Sequence, residues 1–458
     1  MYYFIKRSFF LQAKKTKILN FRQNICIKIY YGGFMYFGTD GIRGEYGKTL
    51  THSLAFCVGN ALTQIKKRPK VIVGTDTRTS RDILALSVSA GIVHGGGSVV
   101  NVKIIPTAGI SFLCKDFDFG IIITASHNPP CYNGIKVFNS NGQKLSDSEE
   151  EYLEQFFSTT LALDSGIYRE DESLKTKYVQ HLLKSTDMKF DGLKVCIDAS
   201  NGAAYKIAPK IFKELGATVY TTACHNRGNK INVGCGSLNI ENLQTEVLKN
   251  KADIGFAFDG DADRIIAVNK NAEVFDGDKL LYILAKHLKK SNQLYADSVV
   301  GTSQTNRGIM EALNRHKINL IRTDVGDKYV IEAMEKMNLN LGGEQSGHII
   351  IKNYAQTGDG ILTAIKLCEV VAQNNFVFDA KLVPQANIDV LVKDKLKVIN
   401  NENLKNLITK ISNNLEPFGR VLVRASGTED KIRIMVEAPN VDQAQSLALE
   451  IEKQIKEG

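Results

Sequence analysis

The sequence predicts an α/β protein: three consecutive α/β units with mixed sheets, then a smaller C-terminal α+β domain. Two patterns and one size argument carry this. From residue 35 onward, short apolar runs alternate with helix-length stretches, which is the pattern of βαβ units. Residues 386–458 change to alternating strands and longer helices. A chain of 458 residues also holds several domains at roughly 100–200 residues each.

The elements follow in order. Val71-Ile72-Val73-Gly74 reads as a strand, ended by the turn Thr75-Asp76-Thr77-Arg78. A helix runs from there to about His94 and stops at Gly95-Gly96-Gly97, before a strand at 98–102. Ile121-Ile122-Ile123-Thr124 is a further buried strand. The second unit has a strand at 194–198, a helix from Ala208 to Leu215 stopped by Gly216, and a strand at 217–220. Ile254 to Phe258 is apolar throughout, as a strand covered on both faces would be. The third unit opens near Lys279 with a helix over 280–290 and a strand at 298–300. In the last unit, strands are expected at 388–392, 420–424 and 431–437, with a final helix from Val441 to about Lys456. The expected divisions are 1–34, 35–170, 171–275, 276–385 and 386–458.

The most informative segment is Phe258-Asp259-Gly260-Asp261-Ala262-Asp263-Arg264. Alternate residues of an extended chain point to one side. Asp259, Asp261 and Asp263 would then converge and repel unless a hard cation sits among them. Oxygen-only ligands suit Mg²⁺ or Ca²⁺, and a strand's C-terminal end is where open α/β sheets place ligands. The alternative, an acidic turn bent at Gly260, rarely spaces three Asp by two and follows them with Arg.

Four further segments carry chemistry. In Thr124-Ala125-Ser126-His127-Asn128-Pro129-Pro130, Ser126 follows a strand in a loop held by two prolines, suited to a nucleophile or phosphate carrier. The adjacent His127 resembles a hydrolase partner only superficially, and no G-x-S-x-G elbow surrounds the serine. Lys136, in Asn133-Gly134-Ile135-Lys136, is close enough in sequence to fold back toward Ser126. Gly342-Gly343-Glu344-Gln345-Ser346-Gly347-His348 sets an acid, a hydroxyl and an imidazole in a glycine-framed loop that suits sugar hydroxyls. Arg424-Ala425-Ser426-Gly427-Thr428-Glu429-Asp430, with Arg433 beyond, combines hydroxyls, free backbone N–H groups and guanidinium into an anion nest. Phe37-Gly38-Thr39-Asp40-Gly41-Ile42-Arg43-Gly44 opens the body, and Arg43, between Gly41 and Gly44, can reach a phosphate without side-chain crowding.

Bulk properties exclude several classes. Composition is that of a globular protein, 43% hydrophobic and 23% charged. No apolar run approaches the roughly 18 residues of a membrane span. Residues 1–34 hold seven Lys and Arg and no acid, +7 of the net +9, which leaves +2 for the rest. The basic balance therefore does not mark the body as a nucleic-acid binder. That segment has no secretory pattern; translation is expected to start at Met35, with residues 1–34 outside the fold. The eight cysteines are scattered without ligand spacing, so they read as reduced, structural and cytosolic.

Taken together and in this order, GIRG, TASHNP, DGDADR, GGEQSGH and RASGTE resemble the α-D-phosphohexomutase family. The resemblance covers roughly residues 35–458 and implies four domains around a central cleft, each giving it one loop. It implies that Ser126 carries a phosphoryl group and that Asp259, Asp261 and Asp263 with phosphorylated Ser126 hold one Mg²⁺. Glu344 and Ser346 would bind sugar hydroxyls. Arg424, Ser426, Gly427, Thr428 and Arg433 would bind the distal phosphate. Arg43, Lys136, Arg264 and His348 would surround the reacting group, with Lys136 or His348 as general acid/base.

FGTDGIRG, NGIKVF and GGEQSGH look most like the branch that interconverts glucosamine 6-phosphate and glucosamine 1-phosphate through a bisphosphate, supplying UDP-N-acetylglucosamine and the cell wall. The partner implied is a hexosamine phosphate, with a cytoplasmic location and a homodimer as one assembly. The alternatives are a phosphomannomutase/phosphoglucomutase and, further off, a non-catalytic sugar-phosphate binder or phosphatase. Tyr132 before Asn133-Gly134 favours the mannose/glucose branch. Gly301 to Asn306 lacks the usual Met-Ser-Asn, Lys328 stands where Arg is common, and Asp430 replaces the usual Pro.

Overall fold

A computed structural model describes residues 36–38, 40–163, 165–426 and 430–457. The expected start at Met35, the 1–34 extension, Gly427 and Thr428 lie outside the described residues.

Four sheets follow one another along the chain. The first is seven-stranded and mixed. Its centre holds Lys70–Thr75 and Phe119–Ile123 in parallel, and Tyr132–Asn139 runs antiparallel beside the latter. The second, five-stranded sheet has Lys194–Asp198 parallel to both Thr218–Thr222 and Ile254–Phe258, and Ile265–Asn269 antiparallel to the last. The third is four-stranded and mixed, built on Ser298–Thr302. The fourth has three antiparallel strands, Gln385–Leu391, Lys431–Glu437 and Arg420–Ala425. Three mixed α/β sheets and a smaller α+β unit are the architecture expected from the sequence.

Local sequence explains the element ends. The helix Gly277–Lys290 begins three residues before the expected Leu280, because the Asp276 side chain caps it by accepting from the Lys279 N–H. Its Leu280, Leu281, Leu284 and Leu288 are buried, each worth about 1.5–3 kcal/mol of transfer free energy. The helix Ile207–Glu214 ends where Gly216 takes φ +97°.

The first three sheets share one continuous apolar core, running through Ile72, Phe138, Tyr178, Phe256, Leu281 and Val299. The last domain has a separate core of Val390, Ile411, Ile434, Ala448 and Ile451. It touches the third domain through polar contacts such as Arg420 Nη1 to the Ser303 carbonyl at 2.6 Å. No helix among the described residues is long and apolar enough to cross a membrane.

Candidate active site

Strand ends build the site. Ile254–Phe258 is buried along its whole length and delivers the chain into the aspartate loop. That loop is not extended, as the alternate spacing suggested. Ala262 takes φ +58° and its N–H donates to the Asp259 carbonyl at 3.1 Å. A tight turn, rather than strand alternation, brings the carboxylates together. All three are buried and offer oxygens within 4.8 Å of one another. Asp261 Oδ1 and Asp263 Oδ1 accept no hydrogen bond from a described residue. Burial first, then the charges of Asp263 and Asp261, raises the Asp259 pKa well above the carboxylate range. Buried carboxylates with spare lone pairs and mutual repulsion fit a hard cation.

Phe119–Ile123 ends just before Ser126, which takes φ +50°, a left-handed backbone uncommon outside glycine. Ser126 is fully buried, and its Oγ donates to Asp259 Oδ2 at 2.5 Å. Arg78, itself fully buried, holds the loop. It donates to the carbonyls of Ser126 at 2.9 Å, Asn128 at 2.7 Å and Tyr132 at 2.8 Å, and to Asp76 Oδ2 at 3.0 Å. The two loops touch backbone to backbone: a Cβ on Gly260 would stand 2.5 Å from the Ser126 carbonyl oxygen.

His127 Nδ1 is 3.3 Å from Ser126 Oγ but accepts from Arg264 Nη1 at 2.9 Å. Burial, then the Arg264 and Arg43 charges, pushes its pKa down to about 3. Its lone pair is occupied and Ser126 donates elsewhere, so no Ser–His nucleophile pair forms.

Positive groups surround the triad. Lys136 Nζ lies 3.0 Å from Asp261, 3.1 Å from Asp263 and 3.2 Å from Asp40. Burial opposes its charge, yet those carboxylates hold its pKa well above the usual value. Arg43 donates to Asn128 Oδ1 at 3.0 Å and pairs with Asp40. Burial also opposes the charge of Arg264, and Asp263 and Asp259 outweigh it.

The third domain brings Glu344, whose Oε1 accepts from the Gly326 N–H at 3.0 Å and whose pKa is raised by burial. His348 lies 3.8 Å from Asp263 and 3.6 Å from Asp327. Burial works against its protonation and these carboxylates for it, with a net upward shift. The Gly358 N–H reaches His348 Nε2 at 3.0 Å, so in the neutral ring that nitrogen presents a lone pair and Nδ1 carries the hydrogen. In the last domain, Arg424 and Arg433 are direct cross-strand partners. Like charges so placed repel, and an anion between them relieves it.

A cavity of about 1250 Å³ is bordered by Arg43, His127, Arg264, Glu344, Ser346, His348, Arg424, Ser426 and Arg433 together. Ser126, Lys136, Asp259 and Asp261 are buried beside it and do not line it. Sequence reasoning passed over Asp40, Asp76, Arg78, Lys144 and Asp327. Asp76 and Arg78 stand in a turn after a buried strand, the one signal that could have marked them.

Known proteins match along this whole arrangement. The "Phosphoglucomutase/phosphomannomutase, alpha/beta/alpha domain" descriptions I, II and III match residues 35–163, 176–273 and 276–382, and the "C-terminal domain" description matches 388–454. The Phosphoglucosamine mutase of Caldanaerobacter subterraneus subsp. tengcongensis is 43% identical over 434 residues, 91% of this chain and 97% of its own. A phosphoglucomutase/phosphomannomutase family protein of Burkholderia thailandensis superposes with a TM-score of 0.77 at 23% identity, covering 93% of this chain and 98% of its own. The Aspergillus fumigatus N-acetylphosphoglucosamine mutase, solved with GlcNAc-6P and magnesium, gives 0.66 at 17% identity, with 95% and 98% covered. The fold is that of the four-domain phosphoglucomutase/phosphomannomutase architecture. This chain belongs to the phosphoglucomutase/phosphomannomutase family, the α-D-phosphohexomutases.

Proposed function

We propose that the chain interconverts glucosamine 6-phosphate and glucosamine 1-phosphate. The observation that carries this is the 43% identity to a phosphoglucosamine mutase across nearly the whole of both chains. The site is compatible with it, since the arginine pair Arg424 and Arg433 and Asp263 of the triad border one cavity, with Ser126, Asp259 and Asp261 buried beside it. At about 1250 Å³ that cavity exceeds the roughly 300–1,000 Å³ of ordinary ligand pockets, leaving room for a bisphosphate to turn over.

Ser126 carries the phosphoryl group. Asp259, Asp261 and Asp263 would hold Mg²⁺ with the phosphoserine, and bound Mg²⁺ would lower the charge on the transferring group and on Ser126 Oγ as it leaves. Arg424, Ser426, Gly427, Thr428 and Arg433 bind the phosphate already on the sugar, and Glu344 and Ser346 its hydroxyls. Phosphoryl transfer passes through a loose, highly charged transition state, which Arg43, Arg264 and Lys136 stabilise by fixed position. The sugar oxygen bonds phosphorus as the Ser126 Oγ–phosphorus bond breaks, and the hydroxyl proton ends on Oγ. Lys136 and His348 are the groups placed for this proton movement: carboxylates hold Lys136 protonated in the resting site, and His348, whose Nε2 is engaged by Gly358, borders the cavity.

The experiment is turnover by purified protein with Mg²⁺ on glucosamine, glucose and mannose phosphates. Faster turnover of the glucosamine ester is expected. Preference for mannose or glucose would refute the sugar assignment and direct attention to Tyr132, which lines the cavity.

A further inference from the structure

A polar strap joins the first domain directly to the third. The segment 143–147 follows the strand Tyr132–Asn139 and meets the helix Asp327–Lys336. Gln143 donates to Glu335, Lys144 pairs with Asp327, and Lys328 reaches Asp147 at 2.6 Å. The ends of the strap are exposed, with Asp147 at 68%, and exposed pairs contribute little. The middle differs. The Lys144 side chain is 13% exposed, and its ammonium also pairs with Asp40.

Both carboxylates lead into the site. Asp40 pairs with Arg43 and stands 3.2 Å from Lys136. Asp327 is 3.6 Å from His348 Nε2 and follows Gly326, whose N–H donates to Glu344 Oε1. One ammonium thus joins the arginine of the first domain to the sugar loop of the third. Without it, buried Asp327 and half-buried Asp40 lose the cation they share and repel each other across the two domains, although Asp40 keeps Arg43 and Lys136.

We propose that Lys144 is a positioning residue, setting the first domain's Arg43 and Lys136 against the third domain's Glu344 and His348. The proposal rests on the mutase reading above. A displacement near 1 Å can cost about 100-fold in rate, so kcat is the quantity at stake.

The test uses the full chain with Lys144→Met, Lys144→Arg and, as control, Asp147→Ala. In Lys144→Met, kcat is expected to fall about 10- to 100-fold with KM within about threefold, while Lys144→Arg recovers part of the loss and Asp147→Ala stays within about twofold. Amide hydrogen exchange is expected to quicken at residues 324–328 in Lys144→Met, with the strand Ile254–Phe258 unchanged. Wild-type kcat in Lys144→Met, an equal loss in Asp147→Ala, or unchanged exchange at 324–328 overturns the proposal. If Lys144→Met does not fold, Asp327→Asn, which keeps the shape and removes one charge, carries the same two readouts. A wild-type chain without mutase turnover refutes the mutase reading, and the exchange comparison still decides the role of Lys144.

Discussion

Replacing Gly260 by alanine probes how closely the serine and aspartate loops must fit. The added Cβ would lie 2.5 Å from the Ser126 carbonyl oxygen. An ordinary carbon–oxygen contact is about 3.3 Å, so the loops must part by roughly 0.8 Å. The Ser126 carbonyl cannot yield freely, because it accepts from Arg78 Nη2 at 2.9 Å and Asn232 Nδ2 at 2.8 Å. The other close neighbour, Ile231 Cδ1 at 2.9 Å, is the tip of a side chain and can turn away. Overpacking of this kind costs about 1–3 kcal/mol of stability. The larger effect falls on rate. A shift approaching 1 Å between Ser126 and the triad is expected to lower kcat by about 100-fold. Steady-state kinetics on the glucosamine ester, run beside thermal unfolding, separates the two effects. The expected result is a large kcat loss in a folded protein whose melting point drops by only a few degrees. Wild-type kcat in Gly260→Ala would refute the claim that these loops work in fixed register.

Arg424→Ala removes one of two guanidiniums and is expected to lower kcat/KM about 10- to 100-fold, as loss of a charge-assisted hydrogen bond does; steady-state kinetics reads it. Magnesium is expected to raise the melting temperature of the wild-type chain and to leave an Asp261→Asn variant nearly unmoved, which thermal unfolding with and without the ion decides. Asp278 gives a pH prediction. Burial, then the charge of Asp276, raises its pKa to about 8, whereas an unfolded aspartate titrates near about 3.9. The folded state therefore binds more protons across that window, and this group makes stability fall as pH rises from about 4 to about 8. Asp278→Asn should flatten that decline in melting points taken between pH 5 and pH 8, and an unchanged slope would exclude it.

The sequence shows most of the strands because they are short apolar runs with turn residues at their ends. It shows the cleft segments because each is a compact motif at a strand end. The helix Gly360–Ala372 was not legible. It is buried on almost every side, and its polar residues form only a narrow stripe of Thr363, Lys366 and Glu369 that is itself covered. The geometry of the triad was misread for a related reason: two-residue spacing suits a strand and a turn alike, and only the left-handed Ala262 distinguishes them. Arg78 and Lys144 were hidden because each owes its importance to partners distant in sequence. Arg78 Nη2 reaches a carbonyl 48 positions away, and Lys144 a carboxylate 183 positions away.

The central claim is that Ser126 carries the phosphoryl group between two positions of one sugar. The most direct test is a single turnover, with protein labelled by phosphorylation at Ser126 and mixed with glucosamine 6-phosphate. The account predicts that label leaves Ser126 for the sugar as glucosamine 1-phosphate forms, and that Ser126→Ala makes no product. Wild-type turnover by Ser126→Ala, or label released only as free phosphate, would contradict it.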